Sequence, residues 1–139
     1  MDAGFVRYSN YINNSVREGA IFLMHPSILN FGTANNKHYS ICADEIKFER
    51  NYYNFNPCTS KYHHKDVFAF QMNIESTCAT RNDETTYVLL SLRRKVRIQD
   101  IIKTNLCEFK GVLLADTLSK YKKAKKEYVL QNRLRRNKH

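Results

Sequence analysis

Apolar residues first recur along this chain at helical spacing. Phe5, Tyr8, Ile12 and Val16 form one face of a predicted helix over residues 3–18, because positions three and four apart stack on one side of a helix. Asp2 supplies an N-cap and Gly19 a stop. The pattern then changes. Ala20-Ile21-Phe22-Leu23-Met24 is an unbroken apolar run, interrupted by His25-Pro26 and resumed by Ile28-Leu29. Pro26 does not fit a helix interior, so this stretch reads as two short extended pieces around a turn. Gly32-Thr33-Ala34-Asn35-Asn36 is a loop by composition. Residues 38–50 read as a short strand followed by a helix, with Ile41, Ile46 and Phe48 inside. Residues 51–61 are rich in Asn and Tyr, contain Pro57, and read as a loop.

The clearest alternation lies in residues 66–93. Phe68, Phe70, Met72 and Ile74 alternate with Ala69, Gln71, Asn73 and Glu75, and Val88, Leu90 and Leu92 follow the polar stretch at 80–84. Two period-two runs around a polar connector predict a β-hairpin, with Phe70, Met72, Val88 and Leu90 facing one core. Ile98, Ile101, Ile102 and Leu106 suggest a short helix. Residues 113–136 predict one long helix with Leu114, Leu118, Tyr121 and Tyr128 on one face. No internal repeat is present. The chain divides on this reading into 1–65, 66–112 and 113–139.

Length and composition narrow the class. At 139 residues, 42% apolar and 26% charged, the chain is expected to fold as one ordinary domain with an appendage. No apolar run is long enough to predict a membrane span. No secretory leader is predicted at the N-terminus, so the cytosol or nucleus is the expected location. Charge is unevenly placed: residues 116–139 hold nine basic and two acidic side chains, +7 of the net +10. Lys120, Lys122, Lys123, Lys125, Lys126, Arg133, Arg135 and Arg136 thus form a basic arm suited to nucleic acid or another acidic partner. A solvated helix face is the alternative. The Arg133-Leu134-Arg135-Arg136 cluster also fits a nuclear address.

Candidate chemistry is sparse. His38, Cys42, Cys58 and His63 are the residue types that tetrahedral zinc takes, but their spacing lacks the close pairs of a compact site. Buried, inert thiols are the alternative. No phosphate-cradling glycine loop or nucleophile elbow is present, and Asp44-Glu45 reads as a helix-start feature. The chain reads as non-enzymatic, with no cofactor.

Residues 22–61 resemble a U-box, the zinc-free relative of the RING domain. Leu23-Met24-His25-Pro26-Ser27-Ile28-Leu29 is similar to the U-box sequence of an apolar pair, a polar spacer, Pro and a short strand. Gly32 and His38-Tyr39-Ser40-Ile41 resemble its glycine turn and the aromatic residue before its central helix. Asn56-Pro57-Cys58-Thr59 resembles its second loop, with Asn in place of the first Cys. The resemblance implies partner binding through Met24, Phe48 and Pro57. In a ubiquitin ligase that partner would be a ubiquitin-conjugating enzyme. The first loop lacks the usual contact for such an enzyme, with Glu18-Gly19-Ala20 standing nearby.

Size, Asn/Tyr/Lys-rich composition, the U-box/RING-like front and the basic tail together resemble a family of small conserved baculovirus proteins of nucleocapsid assembly. The elements and the U-box-like stretch together predict an α+β fold: an N-terminal helix, a compact U-box/RING-like part, a β-hairpin and a C-terminal long basic helix. The baculovirus resemblance implies a viral adaptor in the host nucleus and host cytoplasm, with capsid or assembly proteins as partners and DNA on the tail. A U-box-type ubiquitin ligase and a sequence-independent nucleic-acid-binding protein are the alternatives.

Overall fold

The computed structural model describes residues 15–32, 36–59, 69–72, 86–102 and 105–137. In chain order the elements are β1 (Ala20–Met24), α1 (Pro26–Leu29), β2 (His38–Glu45), β3 (Tyr52–Thr59), β4 (Ala69–Met72), β5 (Thr86–Leu89), β6 (Arg94–Arg97), α2 (Ile98–Ile101), β7 (Cys107–Val112) and α3 (Ala115–Asn137). All seven strands join one antiparallel sheet in the order β4-β5-β3-β2-β1-β7, with β6 also on β3.

The expected arrangement around a U-box/RING-like part is corrected by this topology. Residues 22–61 supply three adjacent strands of the sheet rather than a strand, a central helix and two loops. The helix expected after residue 45 is a turn, closed by Ile46 N–H to the Tyr52 carbonyl at 3.0 Å, and Phe48 stands 97% exposed on it. The predicted helix over 3–18 falls mostly outside the described residues, and 16–18 are not helical. The predicted hairpin corresponds to β4 and β5, in register Phe70 opposite Val88 and Met72 opposite Thr86. The side chains of Phe70 and Met72 lie outside the described residues.

Both faces of the sheet are apolar, which explains the unbroken run in β1. On one face Phe22, Met24, Cys42, Phe55, Val96 and Cys107 pack with Leu29 of α1 and Ile98 and Ile101 of α2. Phe22 meets Phe55 edge to face, with centroids 5.8 Å apart, an arrangement the ring quadrupoles favour. On the other face Ile21, Ile41, Cys58, Val88, Leu90 and Leu113 are covered by Tyr121 of α3. Alternating residues of β1 thus serve alternate cores. Pro26 opens α1 at a first-turn position that needs no N–H, and His25 caps it by accepting from Ser27 N–H at 3.1 Å.

β3 reads as a loop because of its Asn residues and Pro57, yet it is the central strand. Residues 52–55 pair with β6, and Cys58 and Thr59 pair with β5. Asn56 and Pro57 fall in the gap where the neighbour changes. The missing N–H of Pro57 therefore interrupts no ladder on that side, while Ser40 stands opposite it on the β2 side. In the same gap Asn56 Nδ2 donates to the Leu92 carbonyl at 2.9 Å, so a side-chain amide bridges to the β5–β6 connection.

α3 is held to the sheet by one buried polar contact and one charged clamp. Tyr121 is fully buried, and its hydroxyl donates to Asn56 Oδ1 at 2.5 Å. Lys125, one turn on, lies 4.6 Å from the Tyr121 ring centroid, donates to the Ala43 carbonyl at 2.7 Å and bonds Glu18. Lys122 adds a second contact to Glu18 at 3.4 Å. Partial burial alone would raise the Glu18 pKa, but the hydrogen bond and charge of Lys125, with Lys122, outweigh it and hold the carboxyl below its ordinary value. Gly19, beside Glu18, has φ +90°, and a Cβ there would stand 2.7 Å from Leu118 Cδ1.

Three outcomes follow for stability. Tyr121→Phe leaves Asn56 Oδ1 buried without its donor and should cost about 1–3 kcal/mol in urea unfolding. Gly19→Ala forces a left-handed alanine against Leu118 and should cost about 1–2 kcal/mol or more. Glu18→Gln should be less stable than wild type at neutral pH. Because the folded carboxyl titrates below its unfolded value of 4.5, its contribution is present above that pH and lost as pH falls through the folded value. The gap in melting temperature between the two proteins should therefore close on acidification below pH 4.5.

Candidate functional site

The residues singled out from sequence do not converge on one place. Met24 and Pro57 are buried in the sheet, whereas Phe48 projects from the β2–β3 turn, so the three share no surface. Cys42 and Cys58 lie on opposite faces of the sheet, one in each core, and His63 lies outside the described residues. Among the described residues no group of His, Cys, Asp and Glu is placed to hold a metal. Burial pushes the Cys42 thiol up to about 12, with Asp44 adding to it. Burial also pushes Cys107 up to about 12 and raises Cys58 further. Such thiols stay protonated and unreactive near neutral pH.

The basic helix divides by function. Lys122 and Lys125 are engaged with Glu18. Lys120 and Lys123 are exposed outside the groove described next, and the side chains of Arg135 and Arg136 lie outside the described residues. Lys126 and Arg133 face a groove of about 480 Å³ between the second half of α3 and the β5–β6 connection. Its far wall carries Arg93, which bonds Asp44, and Asp44 also accepts from Asn54 Nδ2 at 2.9 Å. The floor is apolar, with Leu90 buried and Val129 and Leu130 exposed at 42% and 58%. Five cations and two carboxylates line this groove, and both carboxylates already have cationic partners. It is therefore a cationic cleft with an aliphatic floor.

A second group of polar residues lies at the other end of β2. Ser40 lies opposite Pro57 and Thr59 opposite Tyr87, so the start of β2, the end of β3 and the start of β5 share one end of the sheet. Lys37, His38, Thr59 and Tyr87 are brought there. The His38 ring packs edge-on to Phe31, with centroids 5.1 Å apart. It also lies against Gly32, where a Cβ would stand 2.4 Å from Nε2. Lys37 pairs with Glu108 at 3.5 Å. The sequence assigned no role to Lys37 or Tyr87, and placed His38 as a zinc candidate and, with Thr59, in the U-box-like stretch. The contacts of Glu18 with Lys125, of Arg93 with Asp44 and of Asn56 with Tyr121 and Leu92 were not foreseen. The only local signal was the density of polar residues in stretches that still had to extend.

No family model matches the sequence, and no curated protein matches it. Solved structures do. The chain is similar to MazE-MazF (Form-II) from Deinococcus radiodurans, with a TM-score of 0.51 and 10% identity over 81% of this chain and 93% of that one. It is also similar to the Form-III complex, with a TM-score of 0.50 and 10% identity, and to MazF (Form-I), with 0.51 and 11%, each over 81% of this chain and 94% of the other. At such identities the likeness is one of fold. These neighbours overturn the expected U-box/RING-like and baculovirus resemblances and the α+β arrangement expected with them. They equally overturn the nucleocapsid role and its ligase and sequence-independent nucleic-acid-binding alternatives. The expected capsid, ubiquitin-conjugating and DNA partners and the host-cell location are corrected with them, since the matched proteins are bacterial and two of the three are MazE-MazF complexes.

Proposed function

We propose that this chain is an endoribonuclease of the MazF toxin–antitoxin type, paired with an antitoxin-type protein. The observation that carries the reading is the extent of the likeness. It spans 93–94% of the neighbouring chains and 81% of this one, so it takes in far more of the chain than a single hairpin.

The chemistry is assigned to the sheet end that holds Lys37, His38, Thr59 and Tyr87. Strand cleavage by an RNA's own 2′-hydroxyl forms a bond from that oxygen to phosphorus and breaks the bond to the 5′-oxygen. The products are a 2′,3′-cyclic phosphate and a 5′-hydroxyl. A base must take the 2′ proton, an acid must supply one to the leaving oxygen, and donors must meet the charge growing on phosphate. Imidazole exchanges protons near neutral pH, which suits His38 to the first or second task. Lys37 offers the cation, and Thr59 and Tyr87 offer hydroxyl donors.

The test is incubation of the full chain with 5′-labelled single-stranded RNAs of varied sequence. Fragments ending in 2′,3′-cyclic phosphate are expected, with no cutting where the target sugar is 2′-O-methylated. His38→Ala should lower the rate by about 10²–10⁴-fold while keeping a cooperative melt. Intact RNA across the set, or full activity in a folded His38→Ala protein, would sink the assignment.

A further inference from the structure

We infer that Phe31 and Gly32 are positioning residues: together they form a seat that sets the orientation of the His38 ring and, through that ring, the rate of strand cleavage. The effect on rate rests on the proposed ribonuclease reading; the seat itself rests on the connection between β1 and β2. That connection leaves β1 at Met24 and enters β2 at His38, and these two residues stand opposite each other in the ladder. Its first part is pinned at both ends. His25 N–H donates to the Leu106 carbonyl at 2.7 Å, and Asn30 N–H donates to the Pro26 carbonyl at 2.7 Å. Asn30 closes α1 in the left-handed region, with φ 50° and ψ 47°, which Asn tolerates better than most residues. The chain turns there, and the next side chain, Phe31, packs against the core that holds Phe22 and Met24.

Two contacts then meet at the imidazole. The Phe31 ring stands at 73° to it, with centroids 5.1 Å apart, an edge-on arrangement that ring quadrupoles favour. Gly32 has φ +91°, and a Cβ there would fall 2.4 Å from Nε2 and 2.7 Å from Cδ2 of His38. No side chain fits at residue 32 while the ring keeps this place. The strand cannot yield, because the β1–β2 ladder holds it from Met24 opposite His38 to Ile21 opposite Ile41. The imidazole must turn instead.

Orientation matters because of what shares the row. Ser40 stands opposite Pro57, so His38, two residues back, is level with Thr59, which pairs with Tyr87. Residues opposite each other share a face of the sheet, so His38, Thr59 and Tyr87 form one row across three strands. A proton-transfer group must come within hydrogen-bond reach of its oxygen, and a misplacement of about 1 Å can cost about 10²-fold in rate. Phe31 and Gly32 remove the rotations that would otherwise carry the imidazole out of line.

The experiment uses the full chain and a short single-stranded RNA that it cuts. Gly32→Ala should lower kcat by about 10²-fold and leave KM within about twofold. Phe31→Leu keeps an apolar side chain on the core without the ring and should lower kcat by about tenfold; Phe31→Tyr keeps the ring and should recover most of the rate. Added to His38→Ala, Gly32→Ala should lower the residual rate no further, because residues that act as one unit are not additive. Thermal melts give a readout free of catalysis: Gly32→Ala should lower Tm less in His38→Ala than in wild type, there being no ring to displace. NMR gives a second. In Phe31→Leu the His38 Cε1 proton, identified by its loss in His38→Ala, should move as the ring current of Phe31 is removed. Phe31→Leu supplies rate and resonance whether or not Gly32→Ala folds. Wild-type kcat in a folded Gly32→Ala protein would overturn the inference, as would additive losses with His38→Ala or an unmoved His38 resonance in Phe31→Leu. A chain that cuts none of the RNAs removes the proposed function, and the melts and the resonance then decide the seat alone. Cleavage that needs His38 but is indifferent to Phe31 and Gly32 removes the seat and leaves the function standing.

Discussion

The hydrogen bond from Tyr121 to Asn56 is the contact on which the rest of the molecule depends. It joins α3 to the central strand at the point where that strand exchanges β6 for β5 as its neighbour on one side. Asn56 spends its oxygen on the helix and its amide nitrogen on the Leu92 carbonyl, so a single buried side chain ties α3, β3 and the β5–β6 connection together. Both groups lie in apolar surroundings, where an unmatched polar atom is costly. The pair therefore fixes where along the sheet the helix sits, and burial of Leu118 and Tyr128 follows from that placement. Burial raises the Tyr121 hydroxyl well above its ordinary pKa, with nearby thiols and carboxylates adding to it. It remains a donor over the whole range in which the protein would be handled.

Once α3 is placed, its charges sort themselves by distance from the sheet. Lys122 and Lys125 lie close enough to Glu18 to be consumed structurally, and Lys125 also closes on the Ala43 carbonyl. Lys126 and Arg133 are carried out over the groove, where the two carboxylates of the lining pair with Arg93, Lys122 and Lys125 instead. A run of lysines that looks uniform in sequence thus performs two tasks, one internal and one directed outward. The groove owes its existence to the same geometry, because the β5–β6 connection must reach back toward Asn56 and in doing so forms the opposite wall.

Part of this was legible in the amino-acid sequence. The apolar run Ala20–Met24 announces an extended segment buried on both faces, and Leu118, Tyr121 and Tyr128 announce the inner side of a long helix. β3 was not legible. Asn54 and Asn56 look like loop residues until their partners are known, and those partners, Asp44, Leu92 and Tyr121, come from distant parts of the chain. Pro57 argues against a central strand unless the change of neighbour beside it is already seen. Without β3 the sheet has no centre, and residues 22–61 fall into the apparent strand-turn-helix order that suggested a U-box. The polar cluster at the sheet end was hidden for a related reason. Thr59 and Tyr87 meet only through the β3–β5 ladder, and nothing local to either residue marks them.

The change of neighbours along β3 divides the sheet into two unequal wings. One wing is β6 on the first half of β3; the other is the β4–β5 hairpin on its last two residues. Cooperative units of unfolding tend to follow such supersecondary boundaries. The hairpin wing has a short ladder to β3, so it can detach while the β6 wing and the β1–β2–β3 centre stay paired. Amide protons of β4 and β5 are then set to exchange with solvent through a low-energy partial opening, and those of β1 and β2 only through global unfolding. Tyr87 travels with the loose wing and His38 with the fixed centre. The cluster at the sheet end is thus assembled from two parts of different local stability, and its integrity follows the hairpin rather than the fold as a whole.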